Sequence, residues 1–253
     1  MRFAPDAASI LKELTGVDNE AKKQLEAAEN GDMEAMHDLG NRYYFGDGVD
    51  QDYVKAFEWY LEAAENGYSP AMHDVGKCYF DGEGVDRDYA KAFEWYSKAV
   101  DEGYIFAMHD LANCYRFGEG VNRDDVLAFE WLLEASKEGD IIAMHDLASC
   151  YRFGDGVEQD YVQAFAWYLK ASKNGLIFAM HDLANCYYNG QGVERDYVQA
   201  FEWYLKSAED GYMPAMQDLA DCYRYGRGVE KDVAKAEEWE RRARERRVVI
   251  WEN

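Results

Sequence analysis

The stretch AMHDLANCYRFGEGV, from Ala107 to Val121, sets His109, Asp110 and Cys114 within six residues, ahead of a glycine-rich loop. Three chemistries use such residues: a metal site, a cysteine nucleophile with its histidine base, and a phosphate cradle. Each makes a geometric demand. On a helix, five positions separate His109 and Cys114 by about 140° around the axis and roughly 7.5 Å along it, so they point to different faces. That opposes a hydrogen-bonded Cys–His pair. A phosphate loop requires the longer Walker spacing with Lys and Ser/Thr, or a strand before it. Here a helical pattern precedes the loop, and Asp47, Glu83, Glu119 and Asp155 place acids in most of its copies.

The copies decide the matter. His37, His73, His109, His145 and His181 are spaced by 36 residues, and so are Cys78, Cys114, Cys150, Cys186 and Cys222. Trp59, Trp95, Trp131, Trp167, Trp203 and Trp239 keep the same interval. Six contiguous units follow, 31–66, 67–102, 103–138, 139–174, 175–210 and 211–246, between an N-terminal capping segment 1–30 and a tail 247–253. No one unit stands out as a catalytic one.

Each unit reads as two helices. In the first, helix A runs from about Asp32 to Phe45 and stops at the loop Gly46 to Val49, where glycine takes φ > 0 at low cost. Asp52 is placed to cap helix B, which spans about Tyr53 to Asn66, with Gly67 just past its end. Pro70 and Pro214 fall in the first turn of an A helix, where a missing N–H costs little. Ala35, Met36, Leu39 and Tyr43 on helix A and Tyr53, Ala56, Phe57, Tyr60, Ala63 and Ala64 on helix B have helical apolar spacing. One helix pair cannot bury both stripes, so the units must stack. The tryptophans beside the helix B stripe are expected at contacts between adjacent units. At the array's end the Phe57 and Tyr60 positions become Glu237 and Glu240, which suits an uncovered helix. Upstream, Ala21 to Asn30 reads as an isolated helix B and Asp6 to Thr15 as a short capping helix. Val248 to Trp251 forms an apolar tail that folds back on the end or meets a partner.

The pattern Ala35, Leu39-Gly40, Tyr43, Gly46-Asp-Gly48-Val49, Asp52, Lys55-Ala56, Trp59-Tyr60, Ala63-Ala64 and Gly67 resembles the Sel-one-like repeat, a relative of the tetratricopeptide repeat. The resemblance covers Gly31 to Arg246. Gly40 and Gly76 give way to Ala112, Ala148, Ala184 and Ala220, a small-for-small exchange at a close helix contact. The resemblance implies an all-α, right-handed α/α solenoid whose A helices line a concave surface. It also implies a scaffold or adaptor for other proteins, with no shared catalytic centre and no cofactor.

Composition sets the partners. Hydrophobic residues make up 48% of the chain, and its net charge of −23 argues against nucleic acid and against anionic membranes. No run approaches the roughly 18 apolar residues of a membrane span. No signal peptide is read at the start. Five cysteines, an odd number, suit free thiols and a cytoplasmic setting. The cysteines lie beside the core stripe, and their copies on adjacent A helices, roughly 8–10 Å apart, are too far to pair.

The expected binding surface is the polar face of the A helices: His37, Asn41, Tyr44; His73, Lys77, Phe80; His109, Asn113, Arg116; His145, Ser149, Arg152; His181, Asn185, Tyr188; and Gln217, Asp221, Arg224. Core and loop positions barely change between units, while the second and third members of this face do. Aromatics and arginines are residue types that dominate interfaces. The face should suit a peptide or protein with acidic or amide groups. The acids on helix B and its loops read as a solvated surface. Two rivals stay open. One is a metal-binding histidine ladder, which must find four ligands in tetrahedral order near Asp38 and its equivalents. The other is a hydrolase that uses one cysteine or histidine.

Overall fold

A computed structural model of the chain describes the backbone of residues 19–251 and the side chains of residues 22–246. The described residues form helices and turns with no strand. Helix α1 (Asn19–Glu29) precedes six A/B pairs: α2 (Met33–Phe45) with α3 (Tyr53–Glu65), α4 (Ser69–Asp81) with α5 (Tyr89–Asp101), α6 (Ala107–Phe117) with α7 (Asp125–Glu138), α8 (Ile141–Phe153) with α9 (Tyr161–Lys173), α10 (Ile177–Asn189) with α11 (Tyr197–Glu209), and α12 (Met213–Tyr225) with α13 (Val233–Trp251). Two compact units divide within α7, the first ending at Trp131 and the second starting at Leu132. Within each, a B helix packs on its own A helix and on the A helix of the next pair, which is an α/α solenoid. The capping helix expected at Asp6 to Thr15 lies outside the described residues, as do the side chains of Val248 to Trp251.

Local chemistry sets the boundaries. Asp52, Asp160 and Asp196 each accept two backbone N–H groups in the first turn of the following B helix. Gly46 ends α2 at φ +73°, where its N–H returns to the Arg42 carbonyl.

Two contacts recur between neighbouring pairs. The first is aromatic: Phe57–Tyr79, Phe93–Tyr115, Phe165–Tyr187 and Phe201–Tyr223 meet edge-on, with ring centroids 5.2–5.4 Å apart. The sixth pair has Glu237 in place of this phenylalanine. The second is a backbone contact. Gly120 (φ +76°) lies so close to the start of α5 that a Cβ there would overlap the Tyr89 carbonyl oxygen. Gly84 meets Tyr53, Gly192 meets Tyr161 and Gly228 meets Tyr197 in the same way.

The tryptophans do pack at the stacking contacts: Trp167 and Trp203 share a cluster that includes Tyr168 and Leu183 from two consecutive pairs. Their outer faces are roofed by cations, with Lys170 4.7 Å and Lys206 4.1 Å from the ring centroids. Gly40 and Gly76 press against the rings of Tyr60 and Tyr96, the close helix contact anticipated from the sequence.

Candidate functional site

Within each unit, the HD doublets of the A helices form clips between repeats. His37 Nε2 lies 2.7 Å from Asp74 Oδ2, and His73 Nε2 lies 2.8 Å from Asp110 Oδ2. In the second unit His145 reaches Asp182 at 2.9 Å and His181 reaches Asp218 at 2.8 Å. Each of these four histidines therefore bonds to the aspartate at the doublet position of the next repeat's A helix. The sixth repeat keeps the aspartate, Asp218, and carries Gln217 in place of the histidine. In the first repeat Asp38 accepts from Gln24 Nε2 at 3.4 Å.

Burial and charge compete at these pairs. Burial would depress the imidazole pKa of His73, but hydrogen bonds to Asp110 and Asp74 and their charges outweigh it and raise it to about 9. His145 is raised to about 9 in the same way by Asp146 and Asp182. Burial would raise Asp74 and Asp182, yet hydrogen bonds from histidine hold both below the ordinary carboxylate value. His145 and Asp182 thus form a charged pair at neutral pH.

The polar face read from the sequence sets the histidine, asparagine and tyrosine columns on one side of helix A, and the structure keeps them together there. It also buries them by half, because Tyr60 and its equivalents on helix B close over that side. The Tyr60 hydroxyl donates to Asn41 Oδ1 at 2.9 Å, Tyr204 donates to Asn185 Oδ1 at 2.6 Å, and Ser149 and Tyr168 share a hydrogen bond of 3.0 Å. His109 and Asn113 approach to 3.5 Å. Tyr44 donates to Glu83 at 2.5 Å, and Phe80 and Tyr188 stack edge-on against Tyr89 and Tyr197. Arg152 bonds to Asp182 at 3.2 Å and Arg224 to Glu240 at 2.7 Å. Arg116 lies over the Phe117 ring. Lys77, Gln217 and Asp221 are the exposed members.

The most exposed large side chains on the A helices were not anticipated. Phe45, Phe117, Phe153 and Tyr225, the last residue of their helices, are 71%, 62%, 63% and 59% exposed. Asp81 and Asn189 stand at the same position elsewhere. An apolar residue that departs from the core period, immediately before the loop glycine, was the available signal.

The rival chemistries fare as follows. The five cysteines are buried and form no disulfide, and burial raises Cys78, Cys114 and Cys222 to about 12 and Cys186 to about 11. Among the described residues no group of three or more His, Cys, Asp or Glu is arranged to hold a metal ion. Gly84, Gly120, Gly192 and Gly228 in the loops lie against a backbone carbonyl of the preceding repeat, an acceptor that repels phosphate. No described helix is long and apolar enough to cross a membrane.

The chain matches the family model described as Sel1 repeat over residues 34–68, 69–104, 105–140, 141–176, 177–212 and 214–246. Among solved structures it is similar to c5321, a protective antigen of uropathogenic Escherichia coli displaying an SLR fold, at 36% identity and a TM-score of 0.85. That alignment covers 89% of this chain and 48% of the antigen, so the chain spans about half of its relative's length. A Sel1 repeat protein from Oxalobacter formigenes aligns at 28% identity and a TM-score of 0.77, covering 89% of this chain and 97% of that one. The immunity protein Pa5087 of Pseudomonas aeruginosa shares the fold at 21% identity and a TM-score of 0.54, with 85% and 82% of the two chains covered. A search of curated proteins finds no match.

Proposed function

Because this chain belongs to the Sel1 repeat family, whose members generally mediate contacts between proteins, we propose that it is a non-enzymatic scaffold that binds a protein or peptide on the A-helix face. The carrying observation is the contrast between columns. The clip, the core and the loop glycines repeat, while the positions of Asn41, Tyr44 and Phe45 change from repeat to repeat, the last being an exposed aromatic in four of the six. Constant positions hold the stack, and variable ones are free to set specificity. The histidines then act as structural clips that fix the spacing of the variable residues.

A non-enzymatic reading is supported by how the reactive groups are spent. Histidine is engaged with aspartate in both units, and the thiols are buried and held protonated. The test is affinity capture from the native cell with wild-type chain and with a Lys77→Glu, Phe117→Ala variant, whose changed residues are exposed and partly exposed surface. Partners held by the wild type and lost by the variant, at an unchanged thermal transition, support the reading. Partners retained equally by both would move binding off this face.

A further inference from the structure

The two ends of the A-helix face differ in polarity. The first unit carries 12 Lys and Arg against 28 Asp and Glu, the second 15 against 22. The difference reaches the face at one loop position, occupied by Asp47, Glu83, Glu119, Asp155, Gln191 and then Arg227. In the first unit Glu83 accepts the hydroxyl of Tyr44. In the second, Tyr188 stands where Tyr44 does, and the next loop brings Arg227 over its ring, 5.4 Å from the centroid. The same guanidinium is 5.2 Å from the Tyr225 centroid, so it bridges aromatics of two repeats. Arg227 is exposed and has no ion-pair partner among the described residues, whereas its neighbour Arg224 is held by Glu240.

Resting on the reading of this face as a protein-binding surface, we propose that Arg227, with Tyr188, Tyr225 and Phe153, docks a carboxylate-bearing extended peptide on the second unit. A guanidinium fixed between two rings offers its N–H edge to a carboxylate in bidentate geometry, with little side-chain entropy left to lose. Phe153 and Tyr225, both more than half exposed, supply apolar contact to either side. Packed A helices lie roughly 8–10 Å apart. At about 3.3 Å per residue, two or three residues of extended chain span one repeat. The matching ligand is therefore an Asp or Glu with an apolar or aromatic side chain two or three positions away. Nucleic acid fits poorly, because the unit remains net negative and repels a polyanion.

The test selects a displayed library of short random peptides on the full chain, then measures the affinity of enriched peptides. Enrichment of the acidic–apolar spacing is expected, with affinity about tenfold weaker on Arg227→Glu, partly kept on Arg227→Lys, and reduced by salt. Acidic peptides that bind Arg227→Glu as tightly as wild type would overturn the assignment, as would enriched peptides that carry no acid. Peptides that map elsewhere on the A-helix face overturn this site and leave the scaffold reading standing. A library with no enriched peptide overturns the site and the peptide-binding form of that reading together.

Discussion

His145 and Asp182 belong to consecutive repeats, 37 residues apart, and their side chains meet at 2.9 Å with both 21% exposed. The charged pair joins two A helices that share no backbone hydrogen bond. It therefore acts as a nearest-neighbour coupling between repeats, the kind of term that makes a solenoid unfold cooperatively.

A double-mutant cycle of His145→Gln and Asp182→Asn should give a coupling of about 1–2 kcal/mol in urea unfolding. Gln217→His is the control. It restores a histidine where no following aspartate exists, and should change stability by less than about 0.5 kcal/mol. Equal effects at positions 145 and 217 would contradict the clip.

The clip also sets a pH dependence. His73 and His145 are raised from 6.5 to about 9 in the folded chain, so their contribution is whole below about 6.5 and lost as pH rises through about 9. Asp74 and Asp182 are lowered from 3.8, so theirs is present above that value and lost as pH falls through the folded pKa. Comparing wild type with His73→Gln, His145→Gln isolates this from the global charge. The stability gap between them should be largest near pH 6 and shrink by pH 9.5; a gap that grows with pH would reverse the assigned charge state.

Loop glycines separate backbone conformation from close approach. Gly103 (φ +82°) has open space around its missing Cβ, while at Gly120 (φ +76°) a Cβ would overlap the Tyr89 carbonyl. Gly103→Ala should cost about 1 kcal/mol from the left-handed conformation alone. Gly120→Ala adds a backbone clash between repeats and should cost roughly 3 kcal/mol or more. Denaturant midpoints measure both, and similar losses would mean that the loops do not press on the preceding helix.

Buried thiols predict slow chemistry. In native buffer a maleimide should leave Cys78, Cys114, Cys186 and Cys222 unmodified over hours, and in urea it should label them all. Rapid labelling of one cysteine alone would revive a nucleophile and the hydrolase reading with it.

Much of the fold was legible because each cue is local. Asp52 before an apolar stripe, Gly46 after one and a 36-residue recurrence of His, Cys and Trp specify helix, stop and stack without long-range information. The partner of His73 was not legible. Helical spacing describes only its own helix: it places His37, Asn41 and Tyr44 on one polar face but says nothing of Tyr60 and the next repeat, which pack against that face. Register between neighbouring A helices decides that His73 meets Asp110, and register is a tertiary property. One trace of it was present in the sequence: histidine ends at His181 while aspartate continues to Asp218, an offset of one repeat. The Phe45 column went unread for a different reason, since an aromatic next to a loop glycine looks like the last turn of a core stripe. Its 71% exposure removes it from the core.

The scaffold account is tested most directly by photocrosslinking in the native cell, with a photoreactive phenylalanine analogue placed at Phe45, Phe153 or Tyr225 on the A helices, or at Glu62 or Glu134 on the B helices. The account predicts protein adducts from the A-helix positions and few or none from the B-helix positions. Adducts formed from Glu62 and Glu134 while Phe45, Phe153 and Tyr225 stay silent would contradict it.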